Sequence, residues 1–228
     1  EKNLYFRENG GLSFEKPGHS ASGYDEYVND PRKPVPFTSF TTVGFPSEYM
    51  IEDQRFVSSR PDVLTFQSDE LTETVTAAGP IQANLFVSTS GTDADWIVKV
   101  IDVFPDDTPD PNPNPSNVRL GGYQMLVRGE IMRGKFRRSY SQPEPFVPNK
   151  VTEVDFELQD IFHQFKPGHR IMVQVQSSWF PLVDRNPGKF VDIYNAKESD
   201  FQKTVQRVYR SSKNTSRITF GFLKLEAR

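Results

Sequence analysis

One loop of this chain concentrates side chains that could bind a ligand or another protein surface. Alternating residues from Gln174 lead into it. The eight positions 179–186 hold two large aromatic side chains, a carboxylate, a guanidinium and an amide: Trp179, Phe180, Asp184, Arg185 and Asn186. Such side chains in a surface turn are expected to pack against something or to bind it. We therefore take these five residues as the candidate site, as a wall of a substrate site or as a domain interface.

The loop also has a purely structural interpretation. Trp179 and Phe180 could close one end of a β-sandwich, with Asp184 and Arg185 pairing to hold the turn. Alternatively, Arg185 could pair with a carboxylate of a neighbouring domain in fork geometry. The sequence leaves these interpretations open.

No catalytic set accompanies this loop. A serine hydrolase of the α/β type places its nucleophile in a Gly-x-Ser-x-Gly turn between a strand and a helix, and that motif is absent. The nearest fragment, Gly18-His19-Ser20-Ala21-Ser22, lacks the closing glycine and follows no strand. We predict that this fragment is a loop and that the chain contains no catalytic residue.

Two histidines, His163 and His169, lie on either side of a Lys166-Pro167-Gly168 turn. Metal binding would need further ligands, and no carboxylate cluster stands at ligand spacing beside them. We expect these histidines to hydrogen-bond backbone groups at a strand-turn-strand corner. The prediction is therefore that the chain holds no metal and no cofactor.

Three other polar clusters favour structural roles. Asp93 and Asp95 could act as an acid–base pair, but carboxylates after a glycine more often form the turn that starts a strand. The aspartates between Pro105 and Asn117 alternate with prolines as in a solvated loop and lack EF-hand spacing. The third cluster is a basic run, which is either a solvated face or a contact with an acidic neighbouring domain: Arg128, Arg133, Lys135, Arg137 and Arg138.

The composition excludes several classes of protein. The 228 residues carry 27 Lys and Arg against 30 Asp and Glu, which is not basic enough to indicate a nucleic-acid partner. Zero cysteines exclude a disulfide scaffold and a thiolate metal site. No apolar run reaches the length of a membrane span, so we expect no membrane partner. The 19 Phe, 8 Tyr and 2 Trp residues indicate a sizeable core.

The hydrophobic pattern beyond Pro61 has a period of two, which is typical of strands. Val154, Phe156 and Leu158 should face a core, with Asp155 and Glu157 outside. Ile171, Val173 and Val175 repeat this alternation. Other strand candidates are Val63–Phe66, two runs in 72–90 split at Gly79-Pro80, an apolar run at Trp96–Phe104 covered on both faces, Val205–Tyr209 and Ile218–Phe222.

These eight to ten strands, with 18 prolines and 14 glycines between them, predict an all-β sandwich. Residues 1–46 are expected to form an extended lead-in that packs on the sandwich or on another domain, with short strands near Leu4–Phe6 and Leu12–Phe14. Residues 47–228 are expected to form the sandwich. Ser47 is expected to cap one short helix through about Ser58, with Met50, Ile51 and Phe56 on its apolar face.

Six landmarks in order carry a resemblance to a known family. They are Arg60-Pro61-Asp62-Val63-Leu64, Gly79-Pro80-Ile81, the run from Ser90 to Val103, Arg128-Gly129-Glu130, Phe165 to Ile171, and Ser177 to Pro181 with Asp184-Arg185-Asn186. The chain resembles the C-terminal domain of the X-Pro dipeptidyl-peptidase and cocaine-esterase-like superfamily. The resemblance is closest to the α-amino-acid ester hydrolases and glutaryl-cephalosporin acylases and covers nearly the whole chain.

The resemblance implies a jelly-roll β-sandwich of the galactose-binding type. It also implies a partner, namely an N-terminal α/β-hydrolase domain of the same protein that carries the Ser-His-Asp triad. None of the catalytic residues can be placed on this sequence. The parent protein would then hydrolyse an ester or amide through an acyl-enzyme.

Two other functions remain open from the sequence. The chain could be a free-standing carbohydrate-binding jelly-roll module, which would display solvent-facing aromatic side chains. It could also be a structural domain that forms a homo-oligomer.

Overall fold

The computed structural model describes residues 1–18 and 23–223, which form a single sheet-based body with eleven strands. Of the Gly18–Ser22 fragment, only Gly18 lies within the described residues. The strands are β1 Lys2–Phe6, β2 Gly11–Ser13, β3 Tyr24–Asn29, β4 Leu64–Ser68, β5 Val75–Thr89, β6 Asp95–Val103, β7 Gln124–Arg133, β8 Thr152–Phe165, β9 Arg170–Gln176, β10 Thr204–Tyr209 and β11 Arg217–Leu223.

The strands follow the order β3-β10-β5-β11-β1-β2-β4-β9-β6-β7, and β8 pairs with the other edge of β5. Every pairing is antiparallel except that of β2 with β4. The split predicted at Gly79-Pro80 is not a break between two strands. β5 runs through it with a register shift between Gly79 and Ile81, and Gly79 adopts φ +85°, a conformation that favours glycine.

The sheet folds over on itself, and one hydrophobic core lies between its two halves. It contains Leu85 of β5 and Val154 of β8 together with Val98 of β6 and Val173 of β9. Strands from the two halves of the sheet therefore face each other, and the predicted all-β sandwich is confirmed. The galactose-binding subtype stays a prediction.

The alternation predicted for β8 and β9 is confirmed. Phe156 is 5% exposed and Leu158 is fully buried, whereas Glu157 between them is exposed. Ile171 and Val173 of β9 lie in the same core. The opposite face of β9, with Met172, Gln174 and Gln176, is also buried, which the alternation did not predict.

β6 is covered on both faces, as its apolar run predicts. Trp96 and Val98 lie in the main core. Ile97 lies on the other face in a second cluster with Phe37 and Trp179. Partly buried residues complete this cluster: Tyr49, Leu126, Ile131, Leu182 and Val183.

The predicted helix from Ser47 to Ser58 is wrong in its length and its cap. A 3₁₀ turn spans Ser47–Met50, and the only α-helical turn in the described residues is α1, Arg55–Ser58. Pro46 occupies the cap position in place of Ser47, and no side chain there caps the turn. The helix breaks because the backbone N–H of Gln54 donates to Gln124 O at 3.0 Å, across to β7.

The lead-in contributes strands to the sheet, since β1 pairs with β11 and β3 with β10. The strands predicted near Leu4–Phe6 and Leu12–Phe14 are confirmed, although β2 ends at Ser13. The domain boundary at residues 46 and 47 stays a prediction. Among the described residues, no helix is long and apolar enough to cross a membrane.

Candidate functional site

The loop after β9 folds back onto the covered face of β6, and Trp179 is its internal anchor. The indole is 6% exposed and meets the Tyr49 ring edge-on, with 6.2 Å between ring centroids. Gly129 of β7 makes room for it, because a Cβ there would lie 2.9 Å from the indole Cη2. Trp179 therefore packs within this domain.

Phe180 joins the loop to the lead-in. Its backbone N–H donates to Val35 O at 2.9 Å, and its carbonyl accepts from the N–H of Phe37 at 2.9 Å. Its side chain is 39% exposed. The backbone of Phe180 is thus held in place while its ring stays accessible.

Asn186 lies at the buried end of the loop and binds Asp95 at the start of β6. The Asn186 Nδ2 donates to Asp95 Oδ1 at 2.7 Å, and Arg133 contacts the other carboxylate oxygen at 3.3 Å. Burial raises the pKa of Asp95 to about 6, against the opposing effects of Arg133 and Asn186. Asn186 thereby stabilises a carboxylate that burial disfavours.

Asp93 supports the turn interpretation of the acidic pair. Its Oδ1 accepts from the N–H of Ala94 at 2.9 Å and from that of Lys135 at 3.1 Å. The carboxylate thus organises the backbone just before β6. The Asp93 side chain is fully buried within the domain.

Asp184 and Arg185 do not pair with each other in the part of the chain that the structure describes. Arg185 donates to Pro31 O at 3.0 Å, and its guanidinium lies 4.8 Å from the Phe201 ring centroid. Asp184 is exposed, and its backbone carbonyl accepts from Arg133 at 3.3 Å. The turn is therefore held by contacts to the lead-in and to β7.

Lys99 is a buried cation that the sequence reasoning missed. Its ammonium donates to Gln54 Oε1 at 3.0 Å and lies 4.8 Å from the Trp179 ring centroid. Burial lowers its pKa to about 7, while Glu52 opposes the shift. The signal in the sequence is a lysine in the middle of the apolar Trp96–Phe104 run.

The two histidines share one carboxylate, which corrects the expectation that their rings bond backbone groups. His163 Nε2 lies 2.9 Å from Asp102 Oδ2, and His169 Nδ1 lies 2.7 Å from Asp102 Oδ1. The cluster ties β6 to β8 and to the turn before β9. Neither ring hydrogen-bonds a serine within residues 1–18 and 23–223, so the cluster lacks a nucleophile.

Most of the basic run is used inside the domain. Lys135 Nζ donates to Val191 O at 3.1 Å, and Arg137 donates to Glu144 O at 2.8 Å. Arg138, in contrast, has an exposed side chain and pairs with Glu144 at 3.4 Å. The described residues contain no group of three or more His, Cys, Asp or Glu that could hold a metal ion.

Comparison with known proteins places this architecture in a family. Residues 2–219 match the model of the X-Pro dipeptidyl-peptidase C-terminal non-catalytic domain. The chain belongs to this family. The non-catalytic description agrees with a site of packed, internally bonded side chains.

Solved and curated relatives agree with this assignment. An aminopeptidase from the marine sediment archaeon Thaumarchaeota archaeon is 44% identical, with a TM-score of 0.90 over 98% of this chain and 36% of that one. An α-amino acid ester hydrolase is 45% identical, with a TM-score of 0.89 over 97% of this chain and 36% of that one. Cocaine esterase from Rhodococcus sp. (strain MB1 Bresler) is 32% identical over 200 residues, 88% of this chain and 32% of that protein. The chain thus spans about a third of the length of these relatives.

Proposed function

We propose that this domain is the C-terminal, non-catalytic part of a serine hydrolase. In this proposal the nucleophile lies in a preceding α/β-hydrolase domain, on which this domain packs. The parent enzyme hydrolyses an ester or amide through an acyl-enzyme. The observation that carries the proposal is that relatives named as hydrolases match this chain along nearly its whole length but extend about three times as far.

The chemistry of the described residues supports this division of labour. Ester hydrolysis by a serine enzyme needs a nucleophile, a base and an oxyanion hole close together. Here His163 and His169 bind Asp102, and neither ring bonds a described serine. Asp93 and Asp95 accept hydrogen bonds that organise the start of β6. Membership in this family also supports a domain of a larger hydrolase over a free-standing carbohydrate-binding module.

The role proposed for the 179–186 loop is to help shape the substrate site of the hydrolase domain. Trp179 and Asn186 are buried, so they support the loop from inside. Phe180 and Asp184 are the members with exposed side chains. A rigid backbone carrying an accessible aromatic ring suits a wall that positions substrate and excludes water.

Kinetics of the full polypeptide test this proposal. It should hydrolyse p-nitrophenyl acetate and a p-nitrophenyl ester with an aromatic acyl group. Phe180→Ala should lower kcat/KM for the aromatic ester by roughly tenfold, the loss of about 1.4 kcal/mol of contact, and change the acetate little. Phe162→Ala, at a ring 76% exposed on β8, is the matched control and should change neither.

Two results would contradict different parts of the proposal. If the full polypeptide hydrolyses neither ester nor a matching aminoacyl amide, the serine-hydrolase function is wrong. If Phe180→Ala changes both esters equally, or neither, the wall role of the loop is wrong while the function stands.

A further inference from the structure

The segment from Phe40 to Ile51 displays an unusual amount of apolar surface. Sixteen large hydrophobic side chains of the described residues are exposed, and five of them fall in these twelve positions. Val43 and Ile51 are 102% and 70% exposed; the other three are Phe45 (66%), Met50 (51%) and Phe40 (46%). Single exposed hydrophobic residues need no explanation, but five within twelve positions make this segment a candidate interaction surface.

Hydrogen bonds anchor this apolar segment at its two ends. The Glu52 carboxylate accepts from the backbone N–H of Ser39 at 3.0 Å and also from its hydroxyl, which closes the segment into a loop. The Tyr123 hydroxyl donates to Ile51 O. Anchoring at both ends reduces the entropy that the segment would lose on docking.

The apolar segment also adjoins the candidate site. Phe37 lies between the two, with its ring centroid 6.1 Å from that of Phe45 and 5.6 Å from that of Tyr49. Tyr49 in turn meets the buried Trp179 edge-on. The backbone bonds of Phe37 to Phe180 complete the connection. One aromatic cluster therefore supports both the apolar segment and the 179–186 loop.

We infer that the Phe40–Ile51 segment is the surface through which this domain docks on the preceding catalytic portion of the same polypeptide. This inference rests on the proposed function. The lengths of the solved relatives indicate what covers the segment. They match 97–98% of this chain, and their own chains continue for nearly twice its length beyond the match. The position of the segment agrees with this partner, because one aromatic cluster supports both the segment and Phe180, which is proposed to face the hydrolase domain.

Cysteine protection in the full polypeptide tests the docking surface. This chain has no cysteine of its own, so Val43→Cys introduces a thiol that peptide mass spectrometry can follow. Val147→Cys is the matched control, at a valine that is 58% exposed outside the segment. Docking predicts that the thiol at position 43 is alkylated at least roughly tenfold more slowly than the one at position 147.

A second pair of variants separates docking from other uses of the surface. Phe45→Ser with Ile51→Ser should weaken docking and split the thermal unfolding of the full polypeptide into two transitions, whereas Phe162→Ser should leave it unchanged. Equal alkylation of the two thiols with unchanged unfolding would overturn the inference, even if ester hydrolysis persists. Protection of position 43 that disappears on dilution to a monomer would also overturn it, because a second copy would then be the occupant.

Discussion

Lys99 gives the clearest consequence at the scale of single residues. A buried ammonium is disfavoured, and the pKa of about 7 lies well below the ordinary 10.5. A cation whose folded pKa is depressed contributes stability that is present above the unfolded pKa and is lost as the pH falls through the folded one. From about pH 9 to about pH 6, the free energy of unfolding should fall by roughly 3 kcal/mol through this group.

Lys99→Met removes the titrating group and should therefore remove this part of the pH dependence. Its absolute stability also changes by about 1–3 kcal/mol, because Gln54 loses a buried partner, so the slope is the informative quantity. Lys150→Met, at an exposed lysine, is the control and should keep the wild-type slope. Denaturant titrations at several pH values measure the slope of unfolding free energy against pH. An unchanged slope in Lys99→Met would show that Lys99 does not titrate in this range.

Asn186 and Asp184 have different roles in the 179–186 loop: the buried Asn186 stabilises it, whereas Asp184 is exposed on its surface. Asn186→Ala deprives buried Asp95 of a hydrogen bond and should cost about 1–3 kcal/mol of stability. Asp184→Ala removes an exposed side chain and should stay within about 0.5 kcal/mol of wild type. Chemical denaturation compares the two, and equal losses would show that the loop is not organised around Asn186.

At the scale of elements, β8 follows directly from its sequence. Phe156→Ala should destabilise the fold by about 3–5 kcal/mol, because a buried ring leaves a cavity in the shared core. Glu157→Ala lies on the opposite face of the pleat and should cost less than about 0.5 kcal/mol. Similar midpoints for the two variants in a denaturant titration would mean that the strand register is wrong.

The elements that the sequence did not predict correctly depend on distant partners. Alternation of apolar residues is a local signal, and it located β8, β9 and β10. The Ser47–Ser58 segment has apolar residues with loose helical spacing, but Gln54 bonds to β7 and to Lys99, and these contacts break the helix. Met50 and Ile51 consequently point to solvent.

The 179–186 loop also depends on distant partners that the sequence does not reveal. Residue types singled out Trp179 and Asn186, but whether they are buried depends on the surface against which the loop folds. Only the structure shows Gly129 opposite the indole and Asp95 opposite the amide. Five exposed apolar side chains lie at 40–51, where the sequence indicated the end of the extended lead-in and the start of a short helix.

At the scale of the whole molecule, the domain is a sandwich with one covered face and one aromatic cluster beside it. His163 and His169 bond Asp102, and within residues 1–18 and 23–223 neither ring bonds a serine. In the function proposed above, this domain contributes surface and positioning, and the chemistry is assigned to a preceding part of the same polypeptide.

Mapping the reactive serine tests this assignment most directly. The full polypeptide is treated with a fluorophosphonate probe, which modifies activated serine nucleophiles, and the modified peptide is identified by mass spectrometry. We expect one stoichiometrically labelled serine in the portion preceding this chain, with loss of ester hydrolysis in step with labelling. Stoichiometric labelling of any serine within residues 1–228 would contradict it.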